Sequence, residues 1–190
     1  MERFKQLTSR TALLLRDNVD TDQIIPARFL KTTTKEGLGR SLFADWRYDA
    51  SGAPRADFPL REDAGEILVV GRNFGCGSSR EHAVWALRDF GFRAILGTTF
   101  ADIFRGNAVQ NGLLLVSLPE EAHQKAVQGA GAEVTVDLEA GRVTFPDGEA
   151  VPFRLDPFAR YCLLNGTDAL EFLLGEERSI TTFEERRKRP

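Results

Sequence analysis

Asn73-Phe-Gly-Cys-Gly-Ser-Ser-Arg-Glu-His82 is a glycine-rich turn that joins a predicted strand to a predicted helix. The apolar run Ile67-Leu-Val-Val-Gly71 before it is typical of a buried strand. After it, apolar side chains recur every three to four positions, which predicts a helix over residues 80–90. Backbone N–H groups at a helix start carry a positive partial charge, so this turn, together with Arg80, suits a carboxylate or a phosphate.

The residue types of this turn allow two interpretations. Ser78-x-x-Glu81 fits a capping box, in which both side chains only satisfy unpaired amides at the helix start. The alternative is a binding or catalytic site. Nucleotide binding is disfavoured, because no Gly-Lys-Ser/Thr ends the turn and Ser-Arg follows where the third glycine of a dinucleotide fingerprint belongs.

Length and charge narrow the class of protein. The 190 residues predict one domain over 1–190, with an inserted excursion at 31–65 and a polar C-terminal tail at 180–190. A net charge of −3 gives no reason to expect nucleic acid or an anionic membrane as a partner. The chain shows neither a membrane-spanning apolar run nor a signal peptide, so we expect a cytoplasmic protein.

Cysteines and histidines are few. Cys76, Cys162, His82 and His123 are too few and too scattered to form a zinc site or an iron–sulfur cluster, so we expect this chain to bind no metal. Cys76 lies near a helix start, where a thiol pKa can fall, and a Cys76–His82 nucleophile pair is a further hypothesis. Cys162 lies in an apolar pattern typical of a core, whereas His123 lies on a polar helix and predicts a surface position.

Strands and helices alternate along the middle of the chain, which favours an α/β layered fold with parallel pairing. Residues 133–153 alternate in hydrophobicity between turn signals and predict a β meander. The expected elements are strand 12–15, strand 67–71, helix 80–90, strand 94–97, helix 100–105, strand 113–118, a helix from Pro119, the meander, and a helical region capped by Asp156.

The acidic run Asp17-Asn-Val-Asp-Thr-Asp22 has two open interpretations. It fails the EF-hand test, because Gln23 and Phe29 stand where a glycine and a bidentate glutamate are needed. It is either a loop of Asx turns or an acid presented beside a substrate loop.

Two segments resemble a known family. Asp17-Asn-Val-Asp-Thr-Asp-Gln-Ile-Ile-Pro-Ala27 and Asn73-Phe-Gly-Cys-Gly-Ser-Ser-Arg-Glu-His-Ala83 resemble the small subunits of bacterial 3-isopropylmalate dehydratases, which are similar to the swivelling C-terminal domain of aconitase. Shorter segments resemble the family as well, among them Leu42–Arg47, Phe100–Phe104 and Asp156–Phe158. The resemblance covers nearly the whole chain.

The resemblance implies a three-layer β/β/α swivelling domain, with a mostly parallel sheet and a β meander. Such a domain closes over a [4Fe–4S] cluster carried by a separate large subunit. The implied reaction is the interconversion of 2-isopropylmalate and 3-isopropylmalate through 2-isopropylmaleate, in leucine biosynthesis. The expected partners are therefore the large subunit and a hydroxy-dicarboxylate substrate.

The resemblance also implies roles for individual residues. Ser78 matches the serine alkoxide base, while Ser79 and Arg80 match positions that hold a substrate carboxylate. Asp22 matches an orienting or proton-handling position behind the serine. Cys76 then marks a subfamily and is not a nucleophile, and His82 supports the helix.

Substrate choice in this superfamily is attributed to a loop that here is Arg28-Phe-Leu-Lys-Thr32. Phe29 and Leu30 suit an isopropyl group, which would contribute on the order of 2 kcal/mol when buried against apolar walls. Lys31, with Arg28, suits a carboxylate and keeps homoaconitase, or a methylmalate or citraconate hydro-lyase, as the alternative. A non-catalytic binding or regulatory domain is the alternative from another class. The resemblance favours isopropylmalate, because bacterial subunits of the leucine pathway usually carry a long segment like 37–48 here.

Overall fold

A computed structural model describes residues 1–31, 34–61 and 64–187. Parts of three predicted segments lie outside these residues. They are Thr32 of the substrate loop, positions 32–33 and 62–63 of the excursion, and positions 188–190 of the C-terminal tail.

The described residues form a seven-stranded mixed sheet. Four strands pair in parallel in the order β4-β3-β2-β1, and the sheet continues antiparallel through β5, β6 and β7. The prediction of a mostly parallel sheet plus a meander is therefore confirmed. The strands are β1 Gln6–Leu14, β2 Ile67–Val70, β3 Ala94–Gly97, β4 Leu114–Ser117, β5 Glu133–Asp137, β6 Arg142–Thr144 and β7 Ala150–Pro152.

Strand β1 belongs to both halves of the sheet. Its second half, from Thr11 to Leu14, pairs in parallel with β2, and its first half, from Gln6 to Arg10, pairs antiparallel with β5. The sequence predicted only the apolar end of this strand. The first half was missed because it alternates exposed polar residues with a buried Leu7, which is a weaker signal than a continuous apolar run.

The layers follow from the two faces of β2. Leu68 and Val70 belong to a core shared with the first helices, whereas Ile67 and Val69 belong to a second core shared with the antiparallel strands. All four side chains are completely buried. Helices cover one face of the parallel half, and the antiparallel strands, with Ala122 and Ala126 of a later helix, cover the other. The expected β/β/α arrangement is therefore confirmed.

Eight helices lie in the described part of the chain, and none of them is long and apolar enough to cross a membrane. The second predicted helix begins later and runs longer than expected, and the region expected as a polar tail is helical as far as Arg187. The helices are α1 Thr21–Ile24, α2 Ala44–Arg47, α3 Glu81–Phe90, α4 Asp102–Gln110, α5 Glu120–Gln128, α6 Pro157–Asn165, α7 Ala169–Gly175 and α8 Glu177–Arg187, with 3-10 turns at Ala27–Phe29 and Leu38–Ser41.

The inserted excursion is packed onto the helix-side core. Phe43 and Phe58 are buried, and Trp46 stacks on Phe43 with ring centroids 5.8 Å apart. These aromatic side chains therefore contribute to the helix-side core.

Candidate active site

Two loops lie side by side at the carboxyl ends of β1 and β2. Because these strands are parallel neighbours, their following loops meet at the same edge of the sheet. Backbone bonds join the loops: the amide of Asn18 donates to the carbonyl of Arg72 at 2.8 Å, and that of Gly75 donates to Val19 at 2.8 Å. The amide of Thr21 donates to the carbonyl of Cys76 at 2.9 Å. The acidic run and the glycine turn therefore form one structural unit.

The glycines of the turn are required by position. Gly75 has φ +78°, and a Cβ there would lie 2.2 Å from the ring of Phe104. Gly77 has φ +90°, a conformation that other residues rarely adopt. The turn can pass this close to α4 and reverse its direction only with glycine at these positions.

Ser78 lies on the surface of this unit, beside a buried threonine. Its Oγ is 3.0 Å from Oγ1 of Thr21, which is only 1% exposed. Thr21 is a candidate site residue that the sequence did not indicate. It stands within the Asp20-Thr-Asp22 segment, whose flanking acids drew attention, and only the pairing of the two loops brings its hydroxyl to the serine.

The capping-box interpretation of Ser78 and Glu81 is wrong. Helix α3 begins at Glu81, and its N-cap, Arg80, makes no side-chain capping bond. The Glu81 carboxylate instead accepts from Nδ2 of Asn111 at 2.7 Å and from Nε1 of Trp85 at 3.2 Å. Since the Ser78 hydroxyl is not used to cap the helix, it is available for chemistry.

Arg80 and Asp22 form an ion pair across the two loops. The arginine side chain is 23% exposed and the aspartate 55%, so the cation is the more enclosed partner. Ser79 is exposed, and its carbonyl accepts from Nδ2 of Asn107 at 3.2 Å. The structure thus brings Ser78, Ser79, Arg80 and Asp22 together.

Cys76 is not a low-pKa thiol. Burial, and then the charge of Asp20, raise the thiol pKa above its ordinary value. Its Sγ lies 3.4 Å from the carbonyl oxygen of Asn18. The ring of His82 packs on Trp85, with centroids 4.5 Å apart. The hypothesis of an activated Cys76 nucleophile is therefore wrong.

The predicted substrate loop follows α1 in the chain. Phe29 and Leu30 are half-buried and pack against the helix-side core. Arg28 forms an ion pair with Asp45, and the hydrogen bond to that carboxylate raises the arginine pKa. Lys31 is exposed. Among the described residues, no hydrogen bond or ion pair joins this loop to the serine turn.

Two further expectations about side-chain position have different outcomes. His123 is 6% exposed, with its Nε2 2.6 Å from the carbonyl oxygen of Val70, so the predicted surface position is wrong. The side of α5 that carries His123 faces the sheet, although the polar residues around it in the sequence predicted a solvent-exposed position. Cys162 is 1% exposed, and its prediction as a core residue is confirmed.

The side chains that could bind a metal ion are His, Cys, Asp and Glu. In residues 1–31, 34–61 and 64–187, no three His, Cys, Asp or Glu side chains are grouped so that they could hold a metal ion. An iron–sulfur cluster takes about three or four thiolates, and this chain has two cysteines, of which Cys162 lies in the core. The residues present do not fit such a cluster.

Comparisons with known proteins agree with this geometry. Residues 1–121 match the family model described as Aconitase C-terminal domain, and residues 124–157 match the one described as LeuD_N. The class of protein is thus that of aconitase-type C-terminal domains. The chain belongs, within that class, to the 3-isopropylmalate dehydratase small subunit family. The resemblance seen in the sequence is confirmed.

Relatives named 3-isopropylmalate dehydratase small subunit support this assignment. The protein of Anaeromyxobacter dehalogenans is 58% identical, over 97% of this chain and 98% of the relative. The protein of Chloroflexus aurantiacus is 49% identical, over 100% of this chain and 98% of the relative. A crystal structure of 3-isopropylmalate dehydratase from Methanocaldococcus jannaschii superimposes with a TM-score of 0.69 at 27% identity, covering 95% of this chain and 99% of that one.

Proposed function

We propose that this chain is the small subunit of a 3-isopropylmalate dehydratase. The enzyme interconverts 2-isopropylmalate and 3-isopropylmalate through 2-isopropylmaleate, a step of leucine biosynthesis that we place in the cytoplasm. The observation that carries the proposal is family membership over the full length, joined to an exposed Ser78 beside Arg80 and Thr21. We also propose that residues 1–190 act as one swivel domain.

Ser78 is the base in this proposal. Removing water from a hydroxy-dicarboxylate requires a base for the proton on the carbon next to the one that bears the hydroxyl. A serine hydroxyl is a weak base until its alkoxide is stabilised by donors and positive charge. Thr21 Oγ1 at 3.0 Å can donate to that oxygen, and the start of α3 and Arg80 supply positive charge nearby.

Ser79 and Arg80 hold a substrate carboxylate in this proposal. The guanidinium can bind a carboxylate through two parallel hydrogen bonds. Its ion pair with Asp22 supports the orienting role for that aspartate, because the acid holds the arginine at the edge of the serine turn. The substrate carboxylate then approaches an arginine that is already positioned.

Phe29 and Leu30 form the apolar wall for the isopropyl group in this proposal. Arg28 is paired with Asp45, whereas Lys31 is exposed and has no ion pair among residues 1–31, 34–61 and 64–187. Lys31 would contact substrate only in an enzyme whose substrate carries a further carboxylate. Homoaconitase and the related hydro-lyases are not favoured, and neither is a non-catalytic domain, because the relatives are named for isopropylmalate.

The partner in this proposal is a large subunit that carries the [4Fe–4S] cluster. Ser78 and Ser79 lie exposed on an open face, and this chain lacks the thiolates that a cluster needs. A second chain would cover this face and exclude water from the serine.

Anaerobic reconstitution with the large subunit tests the proposal. Turnover of 3-isopropylmalate and of homoaconitate is followed by the ultraviolet absorbance of the unsaturated intermediate. We expect turnover of isopropylmalate that is abolished by Ser78→Ala, with binding of the large subunit retained. Ser79→Ala is the matched control in the same turn and should raise KM with a smaller loss of kcat.

Three results would contradict parts of this proposal. Full turnover by Ser78→Ala would exclude the serine base. Preference for homoaconitate would assign Lys31 to a carboxylate. Binding of the large subunit without turnover of either substrate would favour the non-catalytic domain.

A further inference from the structure

The exposed side of helix α4 lies next to the serine turn. Asn107, on one flank of this helix, donates to the carbonyl of Ser79, and Phe104 packs under the turn against Phe74. Between Asn107 and the opposite flank lie Ile103, which is 57% exposed, and Gly106. A continuous surface therefore leads from the serine turn across α4.

Gly106 stands in the middle of α4 without a reason inside this chain. Glycine is among the least favourable residues in a helix interior. Its φ is not positive, and a Cβ at this position would meet no atom within 4 Å. Neither backbone conformation nor internal packing demands glycine here. Close approach of another molecule to this face would account for it.

A cleft of about 260 Å³ opens on the far flank of the same helix. Its lining is mostly apolar and includes the side chains of Arg105 and Arg154. Arg105 donates to Oγ of Ser117 at 2.9 Å, whereas Arg154 is exposed and has no hydrogen bond or ion pair within the described ranges. The carboxylate of Asp156 is used to cap α6, through the amides of Phe158 and Ala159. The cleft suits an apolar side chain flanked by an acid. Its lining includes Val109, Leu115, Leu155, Ala159 and Leu163.

We infer that the surface formed by Ile103, Gly106 and the Arg105–Arg154 cleft is the docking surface for the large subunit, which inserts an apolar side chain with a neighbouring carboxylate. The inference rests on the proposed function. The large subunit fits this surface better than a small molecule or a second copy of this chain, for two reasons. The surface is continuous with the serine turn that the large subunit must cover, and an interface of ordinary size involves about 20–30 residues on each side. The exposed Arg154 supplies a charge for an acidic partner.

The decisive variant is Gly106→Leu in the full chain. Leucine has higher helix propensity and meets open space, so Tm should stay the same or rise. We expect Kd for the large subunit, measured by isothermal titration calorimetry, to rise at least about tenfold. Gly175→Leu is the matched control, because a Cβ at Gly175 would also meet no atom within 4 Å. Gly175 lies on α7, which also carries the exposed Leu170, Leu173 and Leu174. The control variant should change Kd less than about twofold.

A charge reversal gives a second, independent readout. Arg154→Glu should weaken binding and reduce its dependence on salt, whereas Arg142→Glu, an exposed arginine on β6, should do neither. Wild-type affinity in both Gly106→Leu and Arg154→Glu would overturn the inference while leaving the proposed function intact. So would a larger loss in Gly175→Leu, which would place the interface on the C-terminal helices. Failure of the wild-type chain to bind the large subunit would overturn both.

Discussion

Ser78 differs from an ordinary surface serine in the residue behind it. The Thr21 hydroxyl is buried, lies 3.0 Å from the serine Oγ and is also 3.3 Å from the serine carbonyl oxygen. A buried donor loses little entropy when the alkoxide forms, because it is already in place. Thr21 is thus a positioning residue for the proposed base.

Thr21→Val tests this role. Valine keeps the shape of threonine but removes the hydroxyl, and a net hydrogen bond is worth about 1 kcal/mol, so we expect kcat of the reconstituted enzyme to fall about fivefold with little change in KM. Thr21→Ser, which restores the hydroxyl, should recover most of the activity. The pH profile of kcat should also shift toward alkaline pH in the valine variant. Unchanged kcat and pH profile in Thr21→Val would refute the role.

Helix α5 is tied to the β6–β7 hairpin by charge. Lys125 bonds both Asp147 and Glu149, the two acids that flank Gly148 of the hairpin turn, and its ammonium lies 5.1 Å from the ring centre of Phe145. The hydrogen bond from Lys125 is the largest cause of a lowered Asp147 pKa. This contact fastens the meander to the helix that packs against the same core.

Asp147→Asn should therefore reduce stability in a pH-dependent way. An aspartate whose folded pKa is lowered adds stability above its unfolded pKa, with an ordinary value of 3.8, and that contribution disappears as pH falls through the folded pKa. The Tm difference between wild type and Asp147→Asn should be constant near neutral pH, shrink as pH falls below about 3.8 and vanish only below the lowered folded pKa. Glu121→Gln, an exposed acid on the same helix, is the control. A Tm difference that persists in acid would contradict the assignment.

The two cores lie on opposite faces of the parallel sheet and share β1 and β2. Val136 of the antiparallel layer belongs to one core, whereas Trp46 and Trp85 pack against the other. Because β1 is paired on both sides, we expect loss of either layer to disrupt the other.

Val136→Ala tests whether the whole chain unfolds as one unit. The cavity and the lost apolar surface should cost about 2 kcal/mol. In urea unfolding, we expect tryptophan fluorescence and far-ultraviolet circular dichroism to shift to lower urea together, although both tryptophans lie on the other face of the sheet. A conservative Val151→Ala at half-buried β7 should shift both signals less. A tryptophan transition unchanged by Val136→Ala would show two independently unfolding units.

Local patterns predicted much of this protein. Residues within a few positions of one another decide the apolar runs of β2, β3 and β4, the spacing of α3 and the glycine turn around Cys76. The sequence therefore revealed these elements. The turn contains Ser78, Ser79 and Arg80, and the family resemblance predicted their roles and that of Asp22 in the other loop. Family membership then followed from strings long enough to be specific.

The rest depended on contacts between distant segments. The Ser-x-x-Glu spacing could not show whether Ser78 caps α3 or contacts Thr21, because Thr21 lies 57 positions away in the chain. His123 was misplaced for the same reason: the packing of α5 on the sheet, and not the polarity of its neighbours, buries the ring. Local sequence was enough for the apolar strands, the glycine turn and the family. Contacts between distant segments set the hydroxyl that lies beside Ser78, the carboxylate that pairs with Arg80 and the face of α4 that is exposed, because parallel strands bring their loops to one edge of the sheet.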